Sequence, residues 1–356
     1  MSEPEKSGIE LTLVKPENYG PLLPYIEDEN VTDINWNGQA LWIDDLTKGR
    51  YKSDVVLSDE FVEQFGIRIS NVVSQTWNKY SPKLEAETEE LRLTIIHKSV
   101  SHTGTAISIR KTPAVKRINF AKSIQEGTLC DEKTANFISN CVKAKCNIVV
   151  CGLTGSGKTE LLKYLTNYIF PKDRAITIED SLEIHYSKIN EGKDCLEFKV
   201  NEDTFTYSDA IKASLRLLPE WILLSEARSI EVQYLFESMS TGAKCLTTLH
   251  TDDIRKLPDR IKSMLKDESQ SVEDRTYEFF DVAILVQKRE ERAGEDVSIE
   301  RSIAQVAVFT RENDKNVCRL LVDEGEWTNE ELQESFAHRL ALAGIPDPYK
   351  YTFIKA

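Results

Sequence analysis

The sequence has 356 residues, more than one hydrophobic core usually organises, so two domains is the natural expectation. Its 45 Lys and Arg against 59 Asp and Glu leave a net charge of −14, which gives little support to a nucleic-acid binder built on a dominant basic stripe. Hydrophobic residues make up 40% of the chain, enough for packed cores, yet no apolar run approaches the roughly 18 residues of a membrane span.

The first residues, Met1–Lys6, are polar and charged and lack the apolar centre of a signal peptide. A cytoplasmic location is expected, peripheral to the membrane only through partners. Val31–Trp36 alternates apolar and polar residues, as a half-buried strand does, and Asn37-Gly38 is a hairpin-type turn before a return strand at Ala40–Ile43. Ser58–Trp77 reads as a helix capped by Ser58, with Phe61, Phe65, Ile69, Val72 and Val73 on one face. The acidic run Glu85–Glu90 reads as a solvated loop. Leu91–Ile96 and Thr105–Ile109 read as strands. Proline and charge at Lys111–Lys116 mark a linker, followed by a short connection at Ile124–Leu129.

Asp131–Ala144 is a helix with Asp131 as its N-cap. From there short apolar strands and helices alternate. The strands are Asn147–Cys151, Arg174–Ile178, Trp221–Ser225 and Lys244–Leu249; the helices are Lys158–Tyr168, Ser208–Leu218 and Ser229–Met239. Such alternation predicts a largely parallel sheet covered on both faces. Strands follow at Val282–Gln287, Ile303–Phe309 and Val317–Val322, and a helix at Asn329–Ala343 stopped by Gly344. Lys288–Arg292 alternates in charge and reads as an exposed turn. The 7 cysteines are scattered; Cys141, Cys146 and Cys151 form no C-x-x-C pair and read as buried thiols, not a zinc site.

Gly152-Leu153-Thr154-Gly155-Ser156-Gly157-Lys158-Thr159 completes the phosphate-loop pattern G-x-x-x-x-G-K-[ST], with a strand before it and a helix after it. The glycines let consecutive N–H groups turn towards phosphate oxygens, and the helix N-terminus adds partial positive charge. Lys158 reaches the β- and γ-phosphates and the Thr159 hydroxyl ligates Mg²⁺. The pattern arises by accident in roughly 1% of chains this long, and its strand–helix context lowers that further. The loop alone does not separate ATPases from kinases, GTPases or helicases.

Three later segments narrow the choice. Ile176–Glu183 is a strand ending in carboxylates, Trp221–Arg228 an apolar strand ending in Glu226, and Ser240–Thr251 a strand leading to His250. Ligands of a parallel sheet sit at the carboxyl ends of its strands, so Glu179, Asp180, Glu226 and His250 are expected beside the phosphate loop.

This constellation resembles the secretion, or traffic, ATPases of type II and type IV secretion, pilus assembly and conjugation. The resemblance covers about residues 25–265 and is strongest over 147–251. There the Walker A loop, the Asp box (Thr177–Glu183), the Walker B segment (Leu223–Arg228) and the His box (Thr241–His250) follow in order. Thr32-Asp33-Ile34, Asn37-Gly38, Pro82–Ala86, Leu91–Leu93 and Thr105–Lys111 are similar to the family's N-terminal strands. The match is nearest the type IV secretion and Tad-pilus branch; no tetracysteine module of the classical type II branch is present.

The resemblance implies an α/β fold: a RecA-like P-loop ATPase domain at 131–356 with a C-terminal extension, a smaller N-terminal α+β (PAS-like) domain at 1–112, and a linker at 113–130. It implies a hexameric ring with ATP bound between the domains and inner-membrane secretion or pilus platform proteins as partners. DNA enters only as an indirect cargo. Glu226 would orient the attacking water, and Glu179 and Asp180 would support Mg²⁺. His250 would sense the γ-phosphate, and Arg92 and Arg110 would reach the nucleotide. The chain departs from the family at Ser225 and Cys245, where glycine is usual, and at Thr88–Glu90, which replaces an Asp-Gly turn. Arg216 matches a family arginine but reads equally well as a surface residue, and Arg228 reads as structural or as an inter-subunit contact. Two other functions stay open: a DNA-translocating RecA-like ATPase, and a nucleotide-gated scaffold that scarcely hydrolyses.

Overall fold

The computed structural model describes residues 16–350 apart from 202, 294 and 295; the reading of Met1–Lys6 lies outside them. The chain forms two compact units, one of residues 1–114 with 290–299, the other of 115–289 with 300–356.

The first unit contains α1 (Leu23–Glu27), β1 (Val31–Trp36), β2 (Leu41–Asp45), β3 (Gly49–Lys52), α2 (Asp59–Val72), β4 (Lys83–Glu87), β5 (Leu91–Ile96) and β6 (Ala106–Lys111). Its strands lie in the order β3-β2-β1-β6-β5-β4, every neighbouring pair antiparallel. Strand alternation sends Leu91, Leu93, Ile95, Ile107 and Ile109 to one face, where they meet Val62, Phe65 and Ile69 of α2.

Two expectations are corrected here. The helix ends at Val72, not Trp77: Ser74 adopts φ +54, which an α-helix cannot continue. Trp77 folds back onto α2 at Gly66, where an added Cβ would stand 2.5 Å from the indole ring. The supposed loop at Glu85–Glu90 begins as strand β4, with Leu84 and Ala86 buried and Glu85 turned outward. Glu85 and Glu87 lie on the outer side of β4, while Glu89 and Glu90 lie in the bend that follows it.

The second unit begins with α3 (Phe120–Glu126), α4 (Glu132–Lys143), β7 (Ile148–Cys151), α5 (Lys158–Leu165), β8 (Ala175–Glu179), α6 (Tyr186–Ile189), β9 (Cys195–Lys199) and α7 (Tyr207–Ser214). It continues with β10 (Trp221–Leu224), α8 (Glu231–Ser240), β11 (Lys244–Leu249), α9 (Leu257–Leu265), α10 (Gln270–Phe279), β12 (Val282–Ala293), β13 (Asp296–Glu312), β14 (Lys315–Asp323), β15 (Glu326–Trp327) and α11 (Glu334–Leu342), with 290–293 of β12 and 296–299 of β13 grouping with the first unit. Ile124–Leu129, read as a connection, contains the end of α3, which Asn119 caps by accepting from the Lys122 N–H. Lys288–Arg292, read as a turn, lies inside β12.

The nine-stranded sheet runs β15-β14-β13-β12-β7-β11-β10-β8-β9. From β12 to β9 each neighbouring pair is parallel, while β13–β14 and β14–β15 are antiparallel. Helices cover both faces. Ile148 and Val150 pack on the side of α4, α5 and α11, and Val149 and Cys151 on the side of α7, α8 and α9. That double cover explains why the parallel strands are continuous apolar runs.

Candidate functional site

Parallel register brings the ends of four strands together. Cys151 pairs with Leu249, Leu224 with Thr247, and Leu224 with Ile178. The residues that follow, Gly152, His250, Ser225 and Glu179, therefore emerge along one edge of the sheet.

The phosphate loop is shaped by close approach. A Cβ on Gly152 would lie 2.4 Å from the Val286 carbonyl oxygen and 2.5 Å from Ser156 Oγ, so only glycine fits. Gly157, at φ +102, starts α5 without a side-chain cap. Ser156 is buried, and its hydroxyl has no hydrogen-bond partner among the described residues. Lys158 Nζ donates to the Leu153 carbonyl at 3.2 Å and lies 3.3 Å from His250 Nδ1. Burial pulls the Lys158 pKa below its ordinary value, partly offset by Glu226. The lysine is thus poised on the loop but incompletely solvated.

His250 joins the loop to the Walker B segment. Its Nε2 lies 2.8 Å from Glu226 Oε1. Burial and then the Lys158 charge lower the His250 pKa, which keeps the ring neutral at pH 7. With Nδ1 accepting from Lys158, the Nε2–H donates to Glu226. The other Glu226 oxygen, Oε2, lies 2.8 Å from Arg228 Nη2. Thr248 fixes this geometry from the neighbouring strand: its hydroxyl donates to the Ser225 carbonyl at 2.6 Å, and its carbonyl accepts the Ala227 N–H at 2.9 Å. Glu226 is held on both sides by one residue of β11.

The carboxylates after β8 separate into different surroundings. Glu179 is fully buried, and its Oε2 accepts the N–H groups of Glu183 at 2.9 Å and Ile184 at 3.0 Å. Burial raises its pKa to about 8, so it is neutral at pH 7. Asp180 pairs with Arg228 at 2.8 Å. Glu183 is the carboxylate beside the loop, its Oε2 accepting from Thr159 Oγ1 at 3.3 Å. Sequence reasoning included Glu183 in the Asp box without giving it a role. The signal that separates it from Glu179 is burial, which spacing does not carry. Arg92 and Arg110 belong to the first unit, where they are directly opposed across β5 and β6, and Arg110 Nε donates to Asp33 at 2.8 Å.

A family model described as Type II/IV secretion system protein matches residues 81–308. The chain belongs to that family. An uncharacterized Bacillus anthracis protein is 26% identical over 326 residues, covering 88% of this chain and 73% of that one. VirB11 of Agrobacterium fabrum is 36% identical over 146 residues, 39% of this chain and 42% of its own. Among solved structures, the Legionella pneumophila ATPase DotB superposes with TM-score 0.58 at 18% identity, covering 83% of this chain and 82% of that one. The pilus retraction motor PilT with bound ADP gives 0.59 at 18% identity, covering 84% and 83%. At such identities the likeness is one of fold, and the α/β architecture is that of the traffic ATPases. Among the described residues no helix is long and apolar enough to cross a membrane.

Proposed function

We propose that the protein is the ATP-hydrolysing motor of a bacterial type IV secretion, conjugative-transfer or pilus-assembly system. It works as a cytoplasmic hexamer beside inner-membrane platform proteins. The observation that supports this best is the chain Lys158–His250–Glu226, which joins the phosphate loop to a carboxylate within three side chains. Phosphoryl transfer needs positioning and charge neutralisation more than covalent chemistry, and these residues offer both. Lys158 binds the phosphates, Glu226 orients the water, and neutral His250 passes the state of one to the other.

Thr159 Oγ1 and Glu183 Oε2 form a hydroxyl–carboxylate pair suited to Mg²⁺, which takes few protein ligands and completes its shell with phosphates and waters. When bound, Mg²⁺ supplies neutralisation of phosphate charge. Glu179, buried and neutral, orders the loop that carries Glu183.

Phosphate-release and nucleotide-binding measurements on two variants test the reading. Lys158→Ala loses both binding and turnover. Glu226→Gln keeps binding and loses turnover by about 100-fold or more. Wild-type turnover in Glu226→Gln sinks the assigned role. Both Glu226 oxygens are engaged, the one observation favouring a slowly hydrolysing scaffold; tight binding without phosphate release in the wild-type protein, partners present, selects that reading.

A further inference from the structure

Arg228 uses both ends of its fork. Nη2 lies 2.8 Å from Glu226 Oε2, and Nη1 donates to Asp180 Oδ2 at 2.8 Å. One planar guanidinium therefore bridges two carboxylates, a geometry that a single ammonium cannot reproduce. Asp180 is itself fixed: its N–H donates to the Tyr207 hydroxyl at 3.2 Å, and its Oδ1 accepts the Ser181 N–H at 3.0 Å. Burial holds the Tyr207 pKa well above its ordinary value. The path Tyr207–Asp180–Arg228–Glu226 ties the first turn of α7 to the segment that follows β10.

We infer that Arg228 is a positioning residue for Glu226, and that Asp180 and Tyr207 act through it, Asp180 as the counter-ion of Arg228 and not as a ligand of the metal. The inference rests on the proposed water-orienting role of Glu226. Arg228 fixes the carboxylate rotamer through Oε2. Oε1 is then the atom that exchanges the His250 N–H for water when the nucleotide arrives.

The test uses the full chain, with melting temperature as a check on folding. Arg228→Gln lowers kcat about 10- to 100-fold while KM for ATP stays within about twofold, because a misplaced carboxylate loses turnover and not binding. Arg228→Lys restores little. Asp180→Asn lowers kcat about 10-fold without raising the Mg²⁺ concentration for half-maximal rate, and the double variant is no worse than Arg228→Gln alone. Rescue of Asp180→Asn by excess Mg²⁺ or Mn²⁺ overturns the counter-ion assignment. A rise of KM in step with the fall of kcat in Arg228→Gln overturns the positioning role. A second readout is independent of turnover: the His250 ring titration, followed by NMR, moves to higher pH in Arg228→Gln, since the Arg228 charge disfavours ring protonation. An unmoved titration removes Arg228 from the cluster. If Glu226→Gln turns over normally, the role of Glu226 fails, and the titration still reports whether Arg228 is coupled to His250.

Discussion

Glu179 shows how burial divides the labour among neighbouring carboxyl groups. It is enclosed and neutral at pH 7, with a pKa raised to about 8, and its Oε2 accepts two N–H groups of the turn that leads to Glu183. A carboxyl group whose pKa is higher folded than unfolded binds its proton more tightly in the native state. Its stabilising contribution is complete below the unfolded value of 4.5 and is lost as pH rises through about 8. Urea unfolding should show wild type losing about 2 kcal/mol between about pH 6 and pH 8 relative to Glu179→Gln, which keeps a carbonyl acceptor but no proton. The same variant should keep more than about half of wild-type turnover, because a neutral acceptor is all the turn requires. Equal pH profiles for the two proteins would mean that Glu179 is ionised in the native state. The sequence pattern placed this residue at the end of an apolar strand, which is where β8 ends. It could not tell Glu179 from Glu183, because solvent exclusion depends on what packs above the strand end.

At the scale of elements, the site is a product of strand register. Thr248 is buried and ties β11 to the Ser225–Ala227 segment through its hydroxyl and its carbonyl. Thr248→Val keeps the volume and removes the hydroxyl, leaving the Ser225 carbonyl short of a donor. A loss of about 1–3 kcal/mol in chemical denaturation is expected, with a fall in kcat larger than the change in KM. A variant as stable and as active as wild type would show that the strand-end lacing does not hold Glu226. The parallel strands were legible because burial on both faces makes them continuous apolar runs with charged ends. Helices α9 and α10 were not read. Their start is marked by Pro258 in the first turn and their junction by Lys266 at φ +52, signals that locally resemble an irregular loop. Edge strand β9 was missed because it is partly exposed along its length and carries no apolar run.

For the whole molecule, the question is how a chain with a net charge of −14 associates with copies of itself. The fold class was legible from motif order, but the division of the chain was not fully so. Residues 290–299 group with the first unit, and Gly49 leaves room for Val297 there, a relation between segments distant in sequence that no local pattern encodes. The proposed hexamer must overcome like-charge repulsion between subunits, which added salt screens over about 8–10 Å near physiological ionic strength. A ligand that binds the assembled form better than the monomer shifts the equilibrium by mass action. Light scattering on Glu226→Gln, which retains nucleotide, should therefore show a species of six times the monomer mass at lower protein concentration with ATP than without it. Raising the ionic strength from about 0.01 M to about 0.15 M should favour the same species. Lys158→Ala should keep the salt effect and lose the nucleotide effect, because screening acts on the whole charge whereas the ATP linkage acts through the phosphate loop. A monomer under every one of these conditions, in protein that hydrolyses ATP, would remove the ring while leaving the hydrolytic site intact.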